Sequence, residues 1–242
     1  MISVIRNIME NKNFYAICLL VGLVFLGVMI PTSVSKFRAY DRTVTVKGLS
    51  EREVNADKVI WPLSFNVVGN DLNSVYSEID RNTAAIKKFL TDGGIPESEI
   101  SVSLPTLSDK YAQEYGSNDR TYRYFSKNVV TVCTGNVETV LALMPKQSEL
   151  LKKGIMVGSD NSWDNQVQFQ FEGLNGIKPE MIEDATRNAR EAAEKFAKDS
   201  DSRLGKIKTA SQGTFTISDR DSNTPYIKKV RVVSSVTYYL KN

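Results

Sequence analysis

The sequence predicts an α+β fold: mainly antiparallel sheets with three amphipathic helices packed on them, preceded by one N-terminal transmembrane helix. Three observations lead there. An uncharged apolar run, "FYAICLLVGLVFLGVMI", fills residues 14–30. Behind it the apolar residues switch repeatedly between a period of two, which marks strands, and spacings of three and four, which mark helices. The resulting order is two strands, helix, two strands, helix, strand, helix, two strands, and it lacks the regular strand and helix alternation of a parallel sheet.

Residues 1–13 form a short N-terminal tail with Arg6 and Lys12 against Glu10. A helix over residues 14–30 rises about 1.5 Å per residue, or roughly 25 Å, close to the lower limit for a membrane span. The exit decides between a cleaved signal and a signal anchor. Cleavage needs small residues at spaced positions, and Val28, Met29 and Ile30 occupy them here. The pattern therefore favours a retained single-pass anchor over residues 14–34, with Thr32, Ser33, Val34 and Ser35 as the alternative cut that would release the protein. Cys18 lies too early in the run for a lipoprotein cysteine. Lys36, Arg38 and Arg42 nearly balance the basic residues ahead of the span, but a long following domain crosses largely regardless of such charge. The bulk of the chain is thus expected outside the cytoplasmic membrane.

Residues 35–42 read as a linker and 43–242 as the folded domain. Within it, "TVTVKG" alternates as a first strand. "DKVIWPLSFNVVG" puts Val59, Trp61, Leu63, Phe65 and Val67 on one face and Pro62 on the other, which predicts an edge or a bulge near the proline. The period then changes. Leu72, Val75, Ile79, Ile86, Phe89 and Leu90 predict a helix capped by Asp71 or Asn70 and ended by Gly93 and Gly94, with Pro96 beyond. Two strands around the polar "YGSNDRT" follow as a long hairpin. Next comes a helix in "NVETVLALMPKQSELLKKG", capped by Asn136 and broken or kinked at Pro145. "WDNQVQFQFEG" alternates Val167, Phe169 and Phe171 with glutamines as a strand buried on one face.

The last helix is expected to start near Pro179 and to bury a stripe of Met181, Ala185, Ala189, Ala192, Ala193, Phe196 and Ala197, narrow enough to lie close to a sheet. Glu191 with Lys195 and Glu194 with Lys198 are spaced for pairing on its outer face. Asp199 and Asp201 read as a helix-end cap, because a calcium loop needs a glycine and a terminal glutamate that are missing here. "KIKTASQGTFTIS" and "YIKKVRVVSSVTYYL" close the domain as strands.

Composition narrows the chemistry. The chain has 31 basic and 28 acidic residues and a net charge of +3, which gives no electrostatic case for nucleic acid; the basic "IKKVRVV" reads as an exposed strand face. There is no histidine, so Ser-His-Asp and Cys-His catalysis and histidine-held metals are unavailable. Of two cysteines, Cys18 lies in the apolar run, which leaves Cys133 without a partner in the domain and reads it as a buried, inert thiol. No glycine-rich phosphate loop or paired-cysteine metal spacing is present, and no cofactor is expected. The residues that stand out are Tyr111, Tyr115, Tyr122 and Tyr124, which flank the hairpin loop and are suited either to cross-strand packing or to an interface or ligand surface.

Four stretches, "TVTVKGLSEREVNADKV", "FLTDGGIPESEISVS", "YRYFSKNVVTV" and "DATRNAREAAEKFAKDSDSRLGKI", follow in an order and spacing that extends over nearly all of residues 43–240. Together this pattern resembles the SIMPL-domain family of mostly bacterial cell-envelope proteins, with Trp61, Pro62 and the "DSDS" helix end as departures. The resemblance implies a periplasmic or surface-exposed protein, association with oligomeric assemblies or oxidative-stress protection, and no catalytic residue to carry over. The expectation is a non-enzymatic, membrane-tethered homo-oligomer with a structural or stress-related role. Two alternatives stand beside it: a periplasmic small-molecule or peptide-binding module that uses the tyrosine hairpin, and an enzyme of unknown type.

Overall fold

The computed structural model of the chain describes residues 16–27, 29, 42–112, 121–158 and 165–241. Residues 16–27 are helical (α1), and every side chain on them is exposed. Among the described residues no helix is long and apolar enough to cross a membrane. The remainder of the expected 14–34 span, apart from Met29, lies outside the described residues, as do the 1–13 tail and nearly all of the 35–42 linker.

The folded part is α+β with antiparallel sheets. Its elements run β1 (Thr43–Asn55), β2 (Lys58–Gly69), α2 (Leu72–Asp92), β3 (Ile100–Val102), β4 (Thr106–Asp109), β5 (Tyr124–Thr134), α3 (Val137–Leu143), α4 (Ser148–Lys152), β6 (Val157–Gly158), β7 (Gln168–Gln170), α5 (Leu174–Asp199), β8 (Arg203–Gln212), β9 (Thr216–Asp219) and β10 (Ile227–Lys241). One sheet has the order β1-β10-β8, with β9 also on β10. The other runs β3-β5-β2-β6, with β4 on β5 and β7 on β2. The chain divides into two compact units. The first takes the described residues up to Ser50 together with Glu180–Thr214 and the described part of Val232–Asn242; the second takes Glu51–Pro179 and Phe215–Arg231.

In the second unit, β2 and β5 pair from Val59↔Thr134 to Gly69↔Tyr124 without a slip. Side chains of one face then line up across the ladder, and Val59, Trp61, Leu63, Phe65 and Val67 are all buried as the alternation requires. β2 has no bulge, but at Pro62 it is paired on one side only among the described residues, the local edge that the proline led us to expect within an otherwise interior strand. The proline is accommodated because its other neighbours leave a gap: β7 pairs with residues 58–60 and β6 with 64–65, and neither reaches Pro62 among the described residues. A missing donor costs nothing where no acceptor faces it.

Helix α2 covers this face. Asp71 is its N-cap and accepts from Ser74 N at 2.8 Å. At its other end Gly94, with φ of 91°, lets Ile95 N reach Leu90 O at 3.1 Å, the Schellman closure that fits an L residue poorly. Between the caps Val75, Ile79, Ile86, Phe89 and Leu90 join the strands in one core. The expected second helix is divided as Pro145 predicts: α3, capped by Asn136, ends at Leu143, a 3-10 turn carries the proline, and α4 resumes at Ser148. β7 is shorter than the alternation implies. Only Gln168–Gln170 pair with β2, and Phe169 is the one residue of the expected apolar row that is fully buried.

In the first unit, α5 lies on β1 and β10 with Val46, Ala189, Ala193, Val236 and Tyr238 at the core. A Cβ on Gly48 would fall 1.8 Å from Ala185 O and 2.5 Å from Ala189 N, so strand and helix backbones are nearly in contact. Asn188 Nδ2 donates to Leu49 O at 2.8 Å beside that point. The buried stripe is Met181, Ala185, Ala189, Ala193 and Ala197, a strict row of every fourth residue. Phe196, expected on it, is 60% exposed, because a helix seated on a glycine has room for a row one side chain wide. The helix also begins five residues before Pro179, which therefore sits inside it, and the expected pairs Glu191 with Lys195 and Glu194 with Lys198 are not formed. Its end is the expected cap: Asp201 takes φ of 49°, and Ser202 N closes on Ala197 O at 2.8 Å.

Candidate functional site

The hairpin that carries the tyrosines has a broken first arm. β3 pairs with β5 as Ile100↔Val132 and β4 as Thr106↔Lys127, so one extra residue is taken up around Leu104 and Pro105. The hairpin tip, Tyr115 included, lies outside the described residues.

At the hairpin base, Asp109 at the end of β4 meets Arg123, the residue just ahead of β5. Arg123 donates from Nε at 3.1 Å and from Nη2 at 2.8 Å to Asp109 Oδ2. The same carboxylate accepts from Tyr111 N through Oδ1 at 2.9 Å. Hydrogen bonding from Arg123, aided by Tyr111 N, holds the Asp109 carboxyl below the usual carboxylate range, and the Asp109 hydrogen bond raises Arg123 in turn. The guanidinium also packs on aromatic rings, 5.0 Å from the Tyr124 centroid and 5.9 Å from that of Tyr111. Asn70, in the turn between β2 and α2, accepts from Arg123 N at 2.8 Å and donates to Thr121 O at 3.3 Å.

The four sequence-predicted residues therefore divide. Tyr124 is half-buried and packs against the core of the second unit, which makes it a structural ring. Tyr111 and Tyr122 present 60% and 49% of their surface to solvent. Arg123 and Asp109, which fix the geometry, were not singled out by sequence. Their signal was opposite charge on the two arms of an expected hairpin.

A second polar junction forms where β1 turns into β2. Asp57 accepts from Glu172 N and Gly173 N, both at 2.7 Å, and so holds the chain just ahead of α5. Lys58 Nζ lies 2.7 Å from Glu172 Oε1. In the loop from β9 to β10, Asp221 accepts from Thr224 Oγ1, from Arg220 Nε at 3.0 Å and from the backbone of Asn223 and Thr224. These bonds, the Thr224 hydroxyl first, lower its carboxyl to about 2.

The basic cluster of β10 is the expected exposed strand face at Lys229 and Arg231 but not at Lys228. Lys229 and Arg231 reach Glu51 at 3.1 and 3.6 Å, and Lys228 is buried against Asp219. Cys133 is exposed instead of buried, because Val130, Val132 and Thr134 take the inward positions and alternation turns the thiol outward. Among the described residues no three acidic or cysteine side chains are grouped to hold a metal ion.

No curated protein matches the chain. A family model, SIMPL, described as a protein of unknown function (DUF541), matches residues 44–238. That match reaches from β1 to β10 and takes in residues of both units, and the chain belongs to the SIMPL family.

Proposed function

We propose that the protein is a membrane-tethered envelope component that self-associates through the tyrosine hairpin, with its domain in the periplasm and a structural or stress-related, non-enzymatic role. The observation that carries this reading is the braced hairpin base, where an Asp109–Arg123 clamp packs on the exposed ring of Tyr111 and a second exposed ring, Tyr122, directly precedes Arg123 in the chain. Tyrosine supplies contact area with a polar handle and little conformational entropy to lose, and aromatic residues are enriched at interface cores. The arm's short strands and Pro105 disfavour open-ended strand pairing, which limits association to defined contacts. Because Asp109 already neutralises Arg123, the base favours a protein contact over capture of a charged ligand. For the tether, the support is α1, whose apolar side chains are exposed on every side.

Light scattering on the full chain in mild detergent tests the assembly. We expect a defined oligomer, reduced by Tyr111→Ser together with Tyr122→Ser; Tyr124 is left intact because it packs in the core. A monomer at high micromolar concentration would remove self-association. An oligomer indifferent to both changes would keep assembly and discard the hairpin as its contact.

A further inference from the structure

The alternation of β10 places Lys228, Val230, Val232, Ser234, Val236 and Tyr238 on one face, and all six are buried. A lysine rarely ends such a row, since removing an ammonium from water is costly unless partners replace the solvent. Directly across the ladder stands Asp219 of β9, whose Oδ1 accepts from Lys228 Nζ. The two are unequally placed: the lysine side chain is 8% exposed and the aspartate 49%. An ammonium has three donors. Asp219 takes one, and no other acceptor among the described residues meets the remaining two.

Lys228 lines a cleft of about 350 Å³ in the second unit, together with Phe169, Phe171 and Ile217, with Glu172 and Asp219 also on its walls. That volume lies within the range of small-molecule sites, which combine apolar walls with a few placed polar groups. Lys58 neutralises Glu172 at 2.7 Å, which leaves the cleft without net charge. A dianion such as phosphate would meet two carboxylates and only one buried cation. A monoanion asks less.

We propose that this cleft binds a monocarboxylate with an aromatic or branched apolar body, its oxygens on the spare donors of Lys228 and its body against Phe169, Phe171 and Ile217. The site lies apart from the tyrosine hairpin and does not depend on self-association. A free acid and the terminal carboxylate of a peptide share this chemistry.

Titration of the full chain in mild detergent with 3-phenylpropionate, read by saturation-transfer NMR against empty micelles, tests it. We expect saturable binding. The neutral 3-phenylpropanamide and the bodiless acetate should each bind about tenfold more weakly or worse, because a charge-assisted hydrogen bond and an apolar contact are lost in turn. Lys228→Met should abolish binding, Lys228→Arg should keep it, and Phe171→Ala should weaken it. N-acetylalanylphenylalanine identifies the source: tighter binding than 3-phenylpropionate assigns a peptide terminus, weaker binding a free acid, and either supports the site. Equal binding of acid and amide, unchanged binding to a folded Lys228→Met, or no saturation up to about 10 mM would overturn the inference. Should Lys228→Met fail to fold, the acid and amide comparison on the unaltered chain still decides.

Discussion

In the second unit, α2 meets its sheet through Ile79, Ile86, Phe89 and Leu90, set among Trp61, Leu63 and Phe65. In the first, α5 meets β1 through a row of alanines, and at Gly48 no side chain intervenes at all. Both units place one long helix on antiparallel strands, yet one fills the interface with large side chains and the other removes them. The difference predicts opposite weaknesses. A large-residue core is damaged by what is taken away, because the surroundings collapse only partly into the space. A backbone contact is damaged by what is added, because neither backbone can step aside without moving its element.

The largest expected effect comes from truncating the large core. Trp61→Ala, at a residue 2% exposed, should cost about 3–5 kcal/mol in urea unfolding of the full chain, with amide exchange accelerated first in β2, β5 and α2. A loss below about 1 kcal/mol would mean that this face is not the working core.

Next is the addition of one methyl group at Gly48. Gly48→Ala should cost about 1–3 kcal/mol or more, localised by amide exchange to β1 and α5. Gly158→Ala, where nothing lies within 4 Å of the new Cβ, should stay within about 0.5 kcal/mol. Equal tolerance of the two would break the contrast between the units.

The smallest effect sharpens the comparison by pH. Among the described residues the carboxylates held below their ordinary range are Asp109 and Asp221, and both belong to the second unit. A carboxylate whose folded-state value is lowered adds stability that is present above the unfolded value of 3.8 and is lost as pH falls, for Asp221 through about 2. Acidification from pH 5 towards about 2 should therefore loosen the hairpin base and the loop at residues 220–226 before α5 and β1. Exchange measured along that titration checks the order, and Asp221→Asn should flatten the response of its loop.

How much of this was legible beforehand follows from what periodicity encodes. The inward face of β2, the span of α2 with both its caps, and the break at Pro145 are local consequences of spacing and terminal residues, and they stand where the sequence put them. What lies across from a residue is not local. Pro62 fits an interior strand because two short neighbours stop on either side of it. Phe196 is apolar and correctly spaced for a stripe, but a helix pressed onto a glycine buries only one row. At the hairpin the four tyrosines were visible, whereas the division of Tyr124 from Tyr111 and Tyr122 depends on which ring reaches the core of the second unit, a tertiary contact that spacing does not encode. Lys228 was legible and passed over: extending the row of Val236, Val232 and Val230 two residues back reaches it.

The first unit is assembled from both ends of the domain, with Thr45 and Thr237 joined through their hydroxyls across 192 positions of sequence. On the ribosome β1 emerges ahead of the domain's other described strands and its partner β10 behind them, while the second unit has most of its strands and α2 in hand before β10 appears. Until β10 has emerged, the nascent chain therefore carries β1 without its mate. Closure of so distant a pair is slow compared with a neighbouring hairpin. Any chaperone that met this chain before β10 arrived would have β1, and the glycine near its centre, to protect.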